Sequence, residues 1–192
     1  MKLNQIWCAM ASLPLAISTT WATTYDIQPT HTFPSFEADH MAGLSVWRGK
    51  FNKTSGQITL DKKAKSGTVD ITVDIDSIDF GLDLMNTKAK TPELFDATKF
   101  PTATYKGKLA AFKNGRPTQV LGDLTLKGIT KPLKLNILTF KCMPHPMLNR
   151  EICGADALAT FQRDDFGMPI GKDWGLDMKV TLRIQVEALA TE

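Results

Sequence analysis

Residues 68–76 read Thr68-Val69-Asp70-Ile71-Thr72-Val73-Asp74-Ile75-Asp76. β-Branched apolar residues at 69, 71, 73 and 75 alternate with polar ones at 70, 72, 74 and 76. On a strand, successive side chains point to opposite faces, so this period buries one face and wets the other. A helical period would scatter the same residues around the axis. The segment is therefore read as a half-buried strand of the antiparallel type. Lys134-Leu135-Asn136-Ile137 and Met178-Lys179-Val180-Thr181-Leu182-Arg183-Ile184-Gln185-Val186 repeat the period. Further strands are predicted over 32–40, 45–51, 57–61, 102–112, 118–126 and 155–164. The breaks between them hold Lys53-Thr54-Ser55-Gly56, Lys65-Ser66-Gly67, Lys113-Asn114-Gly115-Arg116-Pro117 and Lys127-Gly128. Glycine and asparagine there suit chain reversals, and the short spacing argues for a meander-like sandwich or barrel. Residues 82–96 are the exception. Leu84, Met85, Lys88, Leu94 and Phe95 fit a helical face, although Thr91-Pro92 interrupts it. A short helical excursion is predicted there, ending before Phe100-Pro101 and covering one end or edge of the sheet.

The N-terminus reads differently. One basic residue, Lys2, precedes an apolar run from Ile6 to Ile17 that is too short to span a bilayer. Thr20-Trp21-Ala22 then presents small residues where signal peptidase cuts, so residues 1–22 are expected to be a cleaved export signal and residues 23–192 one folded domain. Cys8 lies inside the apolar run after Ile6-Trp7, a poor lipoprotein anchor. Removing Lys2 leaves 22 basic residues against 20 acidic ones. With no basic stripe, no nucleic-acid partner is expected, and no second apolar stretch suggests stable membrane insertion. The residues do not decide between a monomer and a homodimer. Export to an oxidising compartment leaves two cysteines, Cys142 and Cys153, which are expected to pair. A loop of that size would add on the order of 3 kcal/mol. Pro144 and Pro146 lie between them, so the bridge is expected to tie down an irregular excursion between two strands.

Chemistry-bearing motifs are sparse. No G-x-S-x-G elbow, P-loop, dinucleotide-binding glycine pattern or H-E-x-x-H occurs. The carboxylates fall mostly on the wet side of alternating strands, so no catalytic residue and no cofactor are assigned. Met143, His145 and Met147 are soft enough for Cu(I), but the intervening prolines favour a disulfide-tied loop with incidental side chains, and no metal is assigned. His31 and His40 bracket one strand and are read as structural or mouth residues.

The largest signal is an inward apolar set: Phe36, Ala38, Val69, Ile71, Val73, Ile75, Ala103, Tyr105, Leu124, Leu126, Leu135, Ile137, Ala157, Ala159, Phe161, Met178, Val180 and Leu182, joined by Leu94 and Phe95 of the helical segment. In a barrel of about eight strands such a set either fills the interior or leaves room for one ligand. Alternation cannot choose between these, though the short Ala38, Ala157 and Ala159 would leave space.

Several blocks resemble a known family. They are residues 40–51, from His40-Met41-Ala42-Gly43 to Gly49-Lys50-Phe51, followed by Ser55-Gly56; Glu93-Leu94-Phe95-Asp96; Phe100-Pro101-Thr102-Ala103-Thr104-Tyr105; residues 122–132, with Leu126-Lys127-Gly128-Ile129-Thr130-Lys131-Pro132; and Arg163-Asp164-Asp165-Phe166-Gly167-Met168. In this order they are similar to YceI-like proteins, the periplasmic polyisoprenoid-binding family. The resemblance implies a mainly β, lipocalin-like, extended eight-stranded antiparallel barrel with a short helical excursion, holding an isoprenoid or other long-chain lipid in its lumen without catalysis. The apolar set would then be the lipid-binding wall. The chain departs from the family at Met85 to Pro92, which lacks the usual acidic, histidine and arginine residues, and at the added Cys142 to Cys153 loop. The expected function is lipid sequestration, storage or transport in the periplasm. The rivals are a filled-core barrel acting through its surface in stress response or host contact, and a lipid hydrolase or isomerase.

Overall fold

The computed structural model describes residues 22–191; the export-signal reading falls almost entirely on residues outside that range. Eleven strands follow in order: β1 (Thr23–Ile27), β2 (Phe33–His40), β3 (Ser45–Phe51), β4 (Thr54–Asp61), β5 (Ser66–Asp74), β6 (Ile78–Asp79), β7 (Thr102–Ala110), β8 (Gln119–Leu126), β9 (Ile129–Pro144), β10 (Glu151–Gln162) and β11 (Lys179–Ala190). One helix, α1 (Asp83–Ala89), separates β6 from β7. Every ladder is antiparallel, and β1 pairing with β11 closes the ring.

The ring has eight staves because its first three are broken in two. β11 pairs with β1 along 188–190 and with β2 along 180–185. β4 and β3 pair with β1 and β2 respectively, and β5 and β6 pair with β4 and β3. Strands β7 to β11 supply the other five staves. This is the eight-stranded barrel that the resemblance implied, built from the antiparallel strands that the alternating pattern predicted. The β8–β9 reversal shows how the sequence dictates it. Lys127 and Gly128 both take positive φ, 50° and 74°, and Leu126 pairs with Ile129, the geometry of a two-residue hairpin matched to strand twist. Elsewhere Gly107 faces Gly122, where a Cβ on Gly122 would lie 2.7 Å from the Gly107 Cα, so only glycines allow the two backbones this approach.

Lys53-Thr54-Ser55-Gly56 does not reverse the chain, because β3 runs on into β4 along one stave and Thr54, Ser55 and Gly56 already pair with β5. Three further expectations are corrected. The helical excursion is seven residues long rather than spanning 82–96. Pro92 has no N–H to continue the ladder and pushes Thr91 out of helical geometry, so turns carry the chain onward. Phe95 N donates to Ala89 O at 3.0 Å and Ala97 N to Lys90 O at 3.1 Å. Second, the β5 strand stops at Asp74. The Asp74 side chain accepts from Asp76 N, and Ile75–Ser77 form a 3-10 turn. Third, Cys142 and Cys153 are bonded as expected, but not across an irregular excursion. They are direct partners inside the β9–β10 ladder, and Pro144 still pairs with Glu151. Both cysteines sit two pairs before the ladder ends, and Pro144 requires no ladder donor at the last pair.

The interior divides into three apolar clusters stacked along the axis. Phe36, Phe51, Ile75, Ile78, Phe166 and Met168 pack at the α1 end. Val69, Tyr105, Val120, Leu133, Leu135, Ala157 and Ala159 form the middle. Tyr25, Ile27, Leu60, Cys153, Ala188 and Ala190 form the far end, backed by Phe112 and Phe140.

Candidate functional site

The clusters do not meet across the axis. A cavity of about 510 Å³ runs between them, a size within the range of small-molecule pockets. Along β11 its wall takes every second residue, Val180, Leu182, Ile184, Val186 and Ala188. That is roughly 27 Å of strand at ~3.4 Å per residue, or about 20 Å along the axis for the usual tilt of ~40°. The space is long and narrow. The filled-core alternative does not describe this interior.

Of the residues expected to line the lumen, Phe36, Ala38, Val69, Ile71, Val73, Leu94, Phe95, Ala103, Tyr105, Leu124, Leu126, Leu135, Ile137, Ala157, Phe161, Val180 and Leu182 do so. Ile75, Ala159 and Met178 do not. Ile75 has left the strand and is buried in the α1-end cluster. Ala159 lies on the lumen face, but its methyl group is covered in the middle cluster, against which Phe161 and Leu182 pack. Met178 precedes β11 and is buried off the wall, its carbonyl accepting from Arg163 N at 2.8 Å. Strand reading missed other wall residues. Ile58, Leu60, Leu109, Val120 and Leu133 sit on alternating strands and were within its reach. Trp47, Phe80, Arg163, Ile170 and Trp174 form the α1 end of the lumen. Most come from irregular segments, which carry no period.

At that end α1 and two loops converge. Met85, Lys88 and Ala89 of α1 reach the cavity, as do Leu94 and Phe95 beyond it, whereas Leu84 turns outward. Phe95 stacks edge-on against Phe51 at 5.8 Å, and Phe36, Phe80, Trp47 and His40 continue as a chain of ring contacts at 4.9–5.8 Å. His40 therefore stands at the mouth, its Nδ1 3.3 Å from Ser45 Oγ, while His31 is near Thr30 on the surface. Arg163 is buried. Its guanidinium donates to the carbonyls of Met168 and Ile170, both at 2.6 Å, and so fixes the loop that forms part of the mouth. Burial lowers its pKa, opposed by the charges of Asp164 and Asp39. Asp39 accepts from Gly43 N at 2.7 Å and Asp177 N at 2.9 Å, tying the β2–β3 hairpin to the same loop region. These bonds, Asp177 N foremost, hold its carboxyl below the usual range.

At the far end the wall is sealed instead by strand pairing and side-chain bonds. Tyr25 donates to Glu151 Oε1 at 3.3 Å, and Lys62 pairs with the same carboxylate. Burial, then the Glu151 charge, raises the Tyr25 hydroxyl to about 12. In mid-barrel Tyr105 donates to Leu133 O at 2.8 Å, and burial raises its pKa as well. The lumen hydroxyls of Tyr25 and Tyr105 are thus already engaged. Thr54 Oγ1 is a buried side-chain oxygen with no partner among the described residues. Cys142, Cys153 and Glu151 place three potential metal ligands close together, but the two sulfurs are bonded to each other. His145 Nδ1 accepts from Met147 N and Leu148 N, both at 3.1 Å, so that nitrogen shapes the hairpin rather than standing open to an ion. No helix among the described residues is long and apolar enough to cross a membrane.

The arrangement offers an apolar tunnel with Asp39, His40, Lys88 and Arg163 gathered at one end. Comparison with known proteins agrees on the architecture. The chain is 28% identical over 184 residues to a UPF0312 protein of Vibrio cholerae, covering 94% of this chain and 93% of that one. It is 31% identical over 138 residues to protein YceI of Salmonella arizonae, covering 70% and 71%. BcnA of Burkholderia cenocepacia superposes with a TM-score of 0.67 at 23% identity, covering 84% of this chain and 99% of that one. A polyisoprenoid-binding domain from Saccharophagus degradans superposes with a TM-score of 0.61 at 16% identity, covering 87% and 98%. At these identities the superpositions establish the shared fold. The YceI-like domain model matches residues 25–188, and the chain belongs to that family.

Proposed function

We propose that this protein binds a long-chain isoprenoid or related amphiphilic lipid in the barrel lumen, in the periplasm, for sequestration, storage or transport and without catalysis. The observation that carries the reading is the tunnel itself: about 510 Å³ of elongated space walled by carbon. Each methylene moved from water into such a wall is worth ~0.8 kcal/mol, so affinity should grow with chain length more than with head-group chemistry. A wall of this length suits an extended chain, and the polar side chains Asp39, His40, Lys88 and Arg163 stand where a head group would emerge. The name of the Saccharophagus degradans domain, which shares the fold, supports the ligand class.

Native mass spectrometry of gently purified protein tests the reading. The expected result is an extra mass that organic extraction removes and an added isoprenoid restores. Protein that never carries an extractable mass and takes up no fluorescent isoprenoid would overturn it.

A further inference from the structure

The outer surface around the α1 end carries apolar side chains that no strand pattern explains. Leu44 and Leu84 are 77% and 78% exposed, and Trp174 is 76% exposed. Met41 and Leu82 are exposed beside them. They sit on three projections around the mouth. Met41 and Leu44 occupy the β2–β3 hairpin, Leu82 and Leu84 the start of α1, and Trp174 the loop before β11. These projections are held together. A Cβ on Gly175 would lie 3.8 Å from the Ala42 Cβ, Asp39 bonds both hairpin and loop, and Trp47 of β3 stacks on Phe80 ahead of α1.

We infer that this rim docks on the surface of a lipid bilayer, with the lumen mouth facing the membrane; the inference rests on the lumen being a lipid site. Met41 and Trp174 line the cavity and are also exposed, so the apolar wall continues onto the rim beside the polar Asp39, His40 and Lys88. Tryptophan and leucine are the side chains that settle at a membrane interface. A protein partner seated on the rim would stopper the mouth, whereas a fluid bilayer both covers the rim and holds the water-insoluble chain that must enter.

Charge refines the partner. Lys88 pairs with Glu93, Lys172 with Asp164 and Lys179 with Asp177, while Asp83 and Asp173 stand beside the exposed apolar residues. The rim has no cationic excess to concentrate it at an anionic surface. Docking is therefore by apolar insertion into an electroneutral bilayer.

Co-sedimentation with phosphatidylcholine vesicles tests this, comparing the full chain with its Leu44→Ser/Leu84→Ser variant. Neither leucine lines the lumen, and residues 1–21 are common to both proteins, so the difference reports the rim. The variant is expected to partition roughly tenfold more weakly or worse, with equal uptake of a fluorescent isoprenoid delivered from detergent. Adding phosphatidylglycerol or 0.5 M salt should change wild-type binding little. Equal partitioning of the two proteins overturns the inference, and so does binding that requires phosphatidylglycerol and vanishes with salt. Failure of the lumen reading looks different: no isoprenoid uptake by either protein, whatever the vesicle result.

Discussion

At the end that carries Cys142 and Cys153 the barrel wall is sealed by its own ladders, whereas at the α1 end side chains from loops and α1 take over. The sealed end has β1 laced between β4 and β11, a cross-strand disulfide, and Tyr25 bonded to the carboxylate that Lys62 also holds. Hydrogen-bonded strand pairs and a covalent link leave that end little freedom. The α1 end relies on a seven-residue helix, one buried arginine and edge-on aromatic contacts. It exchanges backbone pairing for side-chain packing, which opens locally at lower free energy. The difference gives one end the more constrained backbone and the other the packing that the proposed ligand would have to pass.

Breaking the sealed end should have the largest effect. Cys142→Ala/Cys153→Ala is expected to lose on the order of 3 kcal/mol, read from urea unfolding, with hydrogen exchange rising first in β1 and the ends of β9 and β10. An unchanged midpoint would mean that the ladders alone seal that end. At the mouth, Arg163→Leu strands the carbonyls of Met168 and Ile170 and is expected to cost about 2–3 kcal/mol. Faster exchange should be confined to the loop that precedes β11, and exchange spread evenly over the barrel would contradict the division between the ends.

Between the ends, two neighbouring alanines separate tunnel from core. Both are buried in the middle cluster, but Ala157 borders the lumen and Ala159 does not. Ala157→Trp is therefore expected to lower isoprenoid uptake with a small change in Tm, while Ala159→Trp overpacks and costs about 1–3 kcal/mol. Equal behaviour of the two would remove the distinction.

The sealed end also carries a pH signature. Tyr25 is expected near 10 when unfolded and about 12 when folded. The folded state thus keeps a proton that the unfolded state gives up, so stability is full below pH 10 and falls between pH 10 and 12. Tyr25→Phe should flatten that decline without abolishing it, because Tyr105 shifts in the same direction. A decline as steep in the variant would assign it elsewhere. The smallest effect concerns Thr54, the first residue of β4, where the second stave divides. Its hydroxyl is buried without a partner, so Thr54→Val should raise stability by about 1 kcal/mol, measured as a higher urea midpoint at unchanged slope.

Much of this was legible in the chain. Val69, Ile71 and Val73 announce their face because a strand's period of two is intrinsic to the extended backbone. Lys127-Gly128 announces its hairpin because few residues accept positive φ. Cysteine count and the export-like N-terminus pointed to the Cys142–Cys153 bond, and the bond is present. Its position was not legible, since register depends on which strand lies alongside and not on spacing along the chain.

What the sequence determined by itself is local: which residues extend, which face of each strand is apolar, and where hairpins such as Lys127-Gly128 turn. Only the tertiary structure decided whether those faces meet. The same alternation serves a filled barrel or an open one, and the choice rests on ring size, tilt and the summed volume of side chains drawn from all eight staves. Ala157 and Ala159 are alike in the sequence, two residues apart and buried in the same cluster, yet only Ala157 borders the tunnel. The mouth is a tertiary product for the same reason. Trp47, Arg163 and Trp174 are far apart in the chain and lie partly in irregular backbone, so no period marks them, and closure of the ring is what brings them together.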